Sequence, residues 1–157
     1  MTPEQKTQTY QTVAAEIASV IDGEPNRIAR MATIACLLSQ AFAYYFWTGF
    51  YLVDPDKPDE LVIGPYQGTL GCLRIPFARG VCGACATQRE TVIVPDTHAF
   101  PGHIACDSRS NSEIVVPVFD GDHNLIAVFD VDSTDYGSFD AVDAQGLEHI
   151  LADAFTV

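Results

Sequence analysis

Basic residues are scarce in this 157-residue chain. Its 8 Lys and Arg face 21 Asp and Glu, for a formal net charge of -13. A chain of that sign is repelled by phosphate backbones and anionic lipid, so neither nucleic acid nor a membrane surface is expected as a partner. No apolar run reaches the roughly 18–20 residues of a spanning helix. The opening MTPEQKTQTYQ lacks the basic and apolar regions of a secretory signal, and a cytoplasmic location is expected. Internal repeats, low-complexity tracts and linkers are missing as well. Hydrophobic residues, by contrast, make up 48% and charged ones 18%. That balance excludes disorder and gives one domain over 1–157 enough core to fold. Five cysteines, at 36, 72, 82, 85 and 106, complete the inventory. An odd number without a secretion signal argues against a structural disulfide framework.

Helical signals sit at both ends. Thr2, Pro3 and Gln5 form a cap, a first-turn proline and a capping box, and Val13, Ile17, Ala18 and Ile21 recur at helical spacing before Gly23. A second helix is predicted from near Pro25, with Ile28, Met31, Ala32, Ala35, Leu38 and Phe42 inward; Cys36 falls in that pattern as a core cysteine. A third is predicted at the end, with Ser138 as its cap, Asp140 and Asp143 near its positive end, and Leu147, Ile150, Leu151 and Ala154 as its stripe. Between them the chain reads as strands: 44–53 and 60–64 as a hairpin, then 91–94, then 114–119 and 125–131 joined by Asp120-Gly121-Asp122. The expected fold is α+β, a central antiparallel β-sheet with the N-terminal and C-terminal helices packed on one face. The stretch 67–112 is rich in Gly, Cys, His, Pro and Arg with little periodicity. A long irregular segment inside a compact domain marks function.

Four thiols lie in that stretch. Cys106 sits among polar residues, where Arg109 could supply a charge and Ser108 and Ser110 donors to hold a thiolate. Cys82-Gly83-Ala84-Cys85 could be a dithiol pair or half a zinc site. No second close pair exists, and a mixed site with His98, His103 and Cys106 fits no standard spacing, so no metal is expected. Residues 80–86 read as a short helix. Glu113 opens one strand. Asp130 and Asp132, two apart on another, share a face. They either look outward to solvent or line a pocket, where paired acids could hold an ammonium group or keep a proton. Trp47 and Tyr51 share a strand face with Gly49 between them, as a ligand wall or as core.

Taken in order, Trp47-x-Gly49-Phe50-Tyr51, Gly64-Pro65-Tyr66-Gln67-Gly68, Arg74-Ile75-Pro76-Phe77, Gly80-Val81-Cys82-Gly83, Phe100-Pro101-Gly102-His103-Ile104-Ala105-Cys106-Asp107, Ser112-Glu113-Ile114 and Asp130-Val131-Asp132-Ser133 resemble the free methionine-R-sulfoxide reductases, stand-alone GAF-domain enzymes. The resemblance covers nearly the whole chain. It implies a single GAF domain that reduces free methionine (R)-sulfoxide without a cofactor. It makes Cys106 the catalytic cysteine and Cys72 the resolving one, their disulfide recycled by thioredoxin, with Cys82 as an auxiliary thiol. Trp47 and Tyr51 become an aromatic box for the substrate methyl. Glu113, Asp130 and Asp132 become the acids that hold the ammonium and polarise or protonate the sulfoxide oxygen, their individual roles left open. A homodimer is also implied. Cys85 departs from the family pattern. A ligand sensor, a Cys82–Cys85 dithiol oxidoreductase and a Cys/His metal domain are the competing readings.

Overall fold

A computed structural model describes residues 1–103 and 106–156. Ile104 and Ala105 of the cysteine motif lie outside them. Helix α1 (Pro3–Ile21) starts on the Thr2–Gln5 capping box, and α2 (Arg27–Ala41) on the side chain of Asn26. The strands follow as β1 (Trp47–Asp54), β2 (Lys57–Gln67) and β3 (Arg74–Pro76). Next come α3 (Gly80–Gln88), β4 (Val92–Val94) and a 3-10 turn at Thr97–Ala99. Strands β5 (Ser112–Phe119) and β6 (Leu125–Ser133) and helix α4 (Ala141–Phe155) complete the chain. Among the described residues the strands form one antiparallel sheet in the order β3-β2-β1-β6-β5-β4.

Strand alternation divides the molecule into two layers. Phe50, Ile114, Val116, Ala127, Phe129 and Val131 point to one face and pack under α1, α2 and α4. The terminal helices thus share one face of the sheet, as the sequence pattern implies. Trp47, Tyr51, Val115 and Val128 point to the other face, beneath α3. The same alternation in β6 that sends Phe129 and Val131 into the helical core sends Asp130 and Asp132 to the α3 side.

A buried polar strut fixes the helical layer. Asp143 is wholly buried and accepts from Lys6 Nζ at 2.6 Å, Tyr10 OH at 2.7 Å, Tyr44 OH at 2.6 Å and the Asp140 backbone N–H at 2.9 Å. A buried carboxylate with this many donors keeps its charge satisfied. It ties the start of α1 and the approach to β1 to the first turn of α4.

Several local expectations are corrected. Asp140, not Ser138, caps α4, in a capping box with Asp143; Ser138 instead hydrogen-bonds Ser133. Ile28 and Ala32 lie on the exposed side of α2, and Ile34 takes the buried place. Cys36 is half-buried, its sulfur accepting from Gln40 Nε2 at 3.5 Å. The β5–β6 turn runs on to Asn124: Asp120 Oδ1 accepts from the N–H groups of Asp122 and Asn124, and His123 takes the left-handed backbone at φ 63°. Strand β3 has no counterpart in the sequence reading. The first hairpin is tighter than expected, with Asp54 paired to Lys57.

Candidate active site

Of the sequence-named residues, Trp47, Tyr51, Cys82, His103, Cys106, Ser110, Glu113, Asp130 and Asp132 meet in one pocket on the α3 side of the sheet, and Cys72 joins it through its bond to Cys106. In β6, Asp132 is paired with Trp47 of β1 on one side and Glu113 of β5 on the other. Asp130, one pleat away, sits between Gly49 and Val115. Like charges directly opposite on a sheet repel, and this register sets Glu113 against Asp132. All three acids are buried, at 5% exposure for Glu113, 5% for Asp130 and 9% for Asp132. The alternative in which the Asp pair faces solvent is thereby excluded. Burial first, then repulsion from Asp132, pushes Glu113 up to about 8. Burial and the neighbouring carboxyls also push Asp130 and Asp132 well above the usual carboxylate range. The cluster therefore retains at least one proton at neutral pH.

The aromatic wall is larger than the sequence suggested. Trp47 stacks on Tyr51 with ring centroids 5.7 Å apart, and on Tyr66 at 5.1 Å. Gly49 pairs with Tyr66 across β1 and β2. A Cβ at Gly49 would collide with the Tyr66 side chain, so the missing side chain is what lets Tyr66 approach. The Trp47 indole N–H donates to Thr69 O at 2.8 Å, which fixes the ring plane and the loop that carries Cys72.

Cys72 and Cys106 form a disulfide, with Cα atoms 5.6 Å apart, inside the usual range for such a bridge. Cys72 lies on the loop between β2 and β3, and Cys106 on the segment before β5. A second tie joins the two loops: Thr69 Oγ1 donates to Asp107 Oδ2 at 2.8 Å. Arg109, expected to support Cys106, is instead paired with Asp107 at 2.8 Å and lies over the Phe46 ring. Hydrogen bonds from Arg109, then from Thr69, hold the Asp107 carboxyl well below its ordinary range. Asp107 is thus an ion-paired anchor between the loops, and its charge is still felt by Asp132. Ser110 lines the pocket, whereas Ser108 is exposed.

Helix α3 closes the pocket with its N-terminus. Gly80 enters it at φ 71°, Arg79 makes no side-chain cap, and Gly80, Val81 and Cys82 line the wall. The free N–H groups of a first turn attract anions. Cys82 and Cys85 are both buried free thiols in this helix. Burial, then Asp130, raises both above the ordinary thiol range, so neither is a ready nucleophile. His98, weighed above for a mixed metal site, is engaged by Asn111 at 2.8 Å. His103, also weighed there, lies with Nε2 3.4 Å from Glu113 Oε1. Burial lowers its pKa, so with Glu113 raised the contact joins two neutral groups. The pocket is small, about 40 Å³, and partly open to solvent, and Trp47, Tyr51, Cys106 and the three acids all line it.

A sheet with three helices on one face and a thiol-and-acid pocket under a short helix on the other defines a GAF domain, and residues 31–155 match the family described as GAF domain. A free methionine-R-sulfoxide reductase of Escherichia coli is 40% identical over 147 residues, covering 94% of this chain and 87% of its own. The GAF domain-containing protein A of Dictyostelium discoideum is 46% identical over 146 residues, 93% of this chain and 90% of that one. The solved structure of free methionine-R-sulfoxide reductase from Neisseria meningitidis in complex with its substrate superposes with a TM-score of 0.89 at 47% identity, covering 96% of this chain and 90% of that one. The chain belongs to the free methionine-R-sulfoxide reductases, a family of GAF-domain oxidoreductases.

Proposed function

We propose that this protein reduces free L-methionine (R)-sulfoxide to methionine, with Cys106 as nucleophile and Cys72 as resolving thiol. The observation that carries the reading is the Cys72–Cys106 disulfide set against a buried, proton-retaining acid cluster and a stacked aromatic wall in one pocket. The Cys106 thiolate attacks the sulfoxide sulfur. Glu113, which holds its proton to about pH 8, is assigned the protonation of the departing oxygen. The oxygen ends on Cys106 as a sulfenic acid, the substrate sulfur gains two electrons, and methionine leaves. The Cys72 thiol then attacks the sulfenic sulfur, forming the S–S bond and releasing water. That step protects Cys106 from further oxidation.

The substrate's three handles find matching chemistry. Asp130 and Asp132 take the ammonium, whose positive charge draws their raised carboxyls back toward the ionised form; the Trp47–Tyr51 stack takes the methyl, and the first turn of α3 takes the carboxylate. A ligand with both a free amine and a free carboxylate is thereby favoured over a peptide. Cys82 stays an auxiliary thiol. Thioredoxin returns the disulfide to two thiols. Leu70 and Leu73, 80% and 73% exposed, bracket Cys72 and offer a protein reductant an apolar contact beside the exposed Cys106. The homodimer and the cytoplasmic location implied by the family belong to the same proposal, and sedimentation velocity checks the first.

The deciding assay follows consumption of free R and S methionine sulfoxide and of a peptide carrying the sulfoxide, with thioredoxin recycling. Turnover is expected for the free R form, with little for the S form or the peptide, and loss of turnover in Cys106→Ser. Methionine binding without turnover would favour a ligand sensor. Activity that survives Cys106→Ser but disappears in Cys85→Ala would move the chemistry to the α3 thiols.

A further inference from the structure

We propose that Cys82, Glu113 and Asp130 form a binding site for a zinc-like divalent cation. One sulfur and two carboxylate oxygens from these residues lie within 4.8 Å of one another, and all three residues are buried. A zinc ion binds thiolate sulfur at about 2.3 Å and carboxylate oxygen at about 2.0–2.2 Å, so small side-chain movements close the three onto one ion. A separate observation points to a ligand at this spot. Asp130 Oδ1 is fully buried without a hydrogen-bond partner in the protein, and Asp130, 5% exposed, lines the cavity. Among the described residues, no Lys or Arg lines that cavity to neutralise the acids.

The donor set chooses the ion. Magnesium and calcium take oxygen ligands alone, whereas a thiolate combined with carboxylates suits zinc. His103 stands beside the site. Its Nε2 is 3.4 Å from Glu113 Oε1, and two ligand atoms roughly 2.1 Å from a tetrahedral ion lie about 3.4 Å apart. The cavity of about 40 Å³ accepts an ion with a water or two. Cys72 and Cys106 are bonded to each other and take no part, so the site is complete in the disulfide form. That separates it from metal capture by a reactive thiol and gives the buried Cys82 thiol a role. It shares acids with the substrate site proposed above but does not rest on that assignment.

Cobalt(II), titrated into the disulfide form of the whole protein, is the probe, read by absorption and calorimetry. One equivalent is expected to bind with a thiolate-to-cobalt charge-transfer band, and zinc to displace it. Cys82→Ser is expected to abolish the band and weaken binding by about tenfold or more, and Asp130→Asn to weaken binding while keeping the band. Cys36→Ser should change neither. No charge-transfer band in the unmodified protein overturns the proposal, with no variant needed. So does a band that persists in Cys82→Ser or disappears in Cys36→Ser. No methionine sulfoxide enters the assay, so its outcome is independent of the reductase reading.

Discussion

Replacing Glu113 with glutamine removes one ionisable group from the buried cluster and keeps its size. The folded protein holds the Glu113 proton to about pH 8, against an ordinary value of 4.5. Between those values the unfolded chain has given up a proton that the folded protein retains. Stability therefore falls as pH rises through this window, and the loss ends above the folded value. At about 1.4 kcal/mol per unit, the full window is worth about 5 kcal/mol. Glu113 is 5% exposed, so solvent screening removes little of it. A typical domain has about 5–15 kcal/mol in total, which makes the effect easy to measure. Urea unfolding midpoints of both proteins, in the disulfide form, are to be compared from pH 4.5 to 8. The difference between the profiles removes the histidines and reports Glu113 together with its coupling to Asp130 and Asp132. Glu113→Gln is expected to match the parent near pH 4.5, to follow a flatter profile, and to be the more stable protein at pH 8. The same substitution removes the acidic proton, so turnover of the sulfoxide should drop by about 100-fold or more. Two parallel profiles, or a variant less stable than its parent at pH 8, would refute the argument that burial and Asp132 hold this proton.

Two further outcomes are expected. Thr69→Val cuts the hydrogen bond to Asp107 that ties the two cysteine loops. It should slow disulfide closure by about fivefold, from about 1 kcal/mol of lost tie, with kcat falling, KM little changed and more sulfenic acid trapped by a carbon nucleophile. Leu70→Ser with Leu73→Ser removes the apolar contact beside Cys72. It should raise KM for thioredoxin several-fold while recycling by dithiothreitol stays unchanged; equal losses with both reductants would place the two leucines elsewhere in the mechanism.

Much of the site was legible because local rules carry it. The capping box of α1 is written in Thr2 and Gln5. The period of two in β6 puts Asp130 and Asp132 on one face and Phe129 and Val131 on the other. The glycine and small-residue run from Gly80 reads as a helix start, and it is one. What escaped depends on register and distance. Tyr66 lies within a quoted motif, yet its place on Trp47 follows from the Gly49–Tyr66 pairing, which no local pattern states. Strand β3 spans only Arg74–Pro76 at the sheet edge, too short to show alternation. At the start of α4, Ser138 and Asp140 are both competent caps, and the contact of Lys6 with Asp143, far away in sequence, favours the aspartate. Arg109 reads as a cation near a thiol until the fold shows that Asp107, two residues back, has claimed it.

The central pairing of the sheet, β1 against β6, also sets an order of events on the ribosome. β1 can form its hairpin with β2 early, but its other edge waits for a strand made near the end of the chain. Cys72, Cys82, Cys85 and Cys106 are all synthesised in that interval, before the strand that completes their surroundings exists. Such distant pairings form slowly and leave intermediates with open edges. The nascent chain is then a set of accessible thiols with no geometry to select among them. Only after β6 docks does the protein distinguish Cys72 and Cys106, on the outer loops, from Cys82 and Cys85, sealed inside. A reducing environment during synthesis is therefore expected to favour correct pairing.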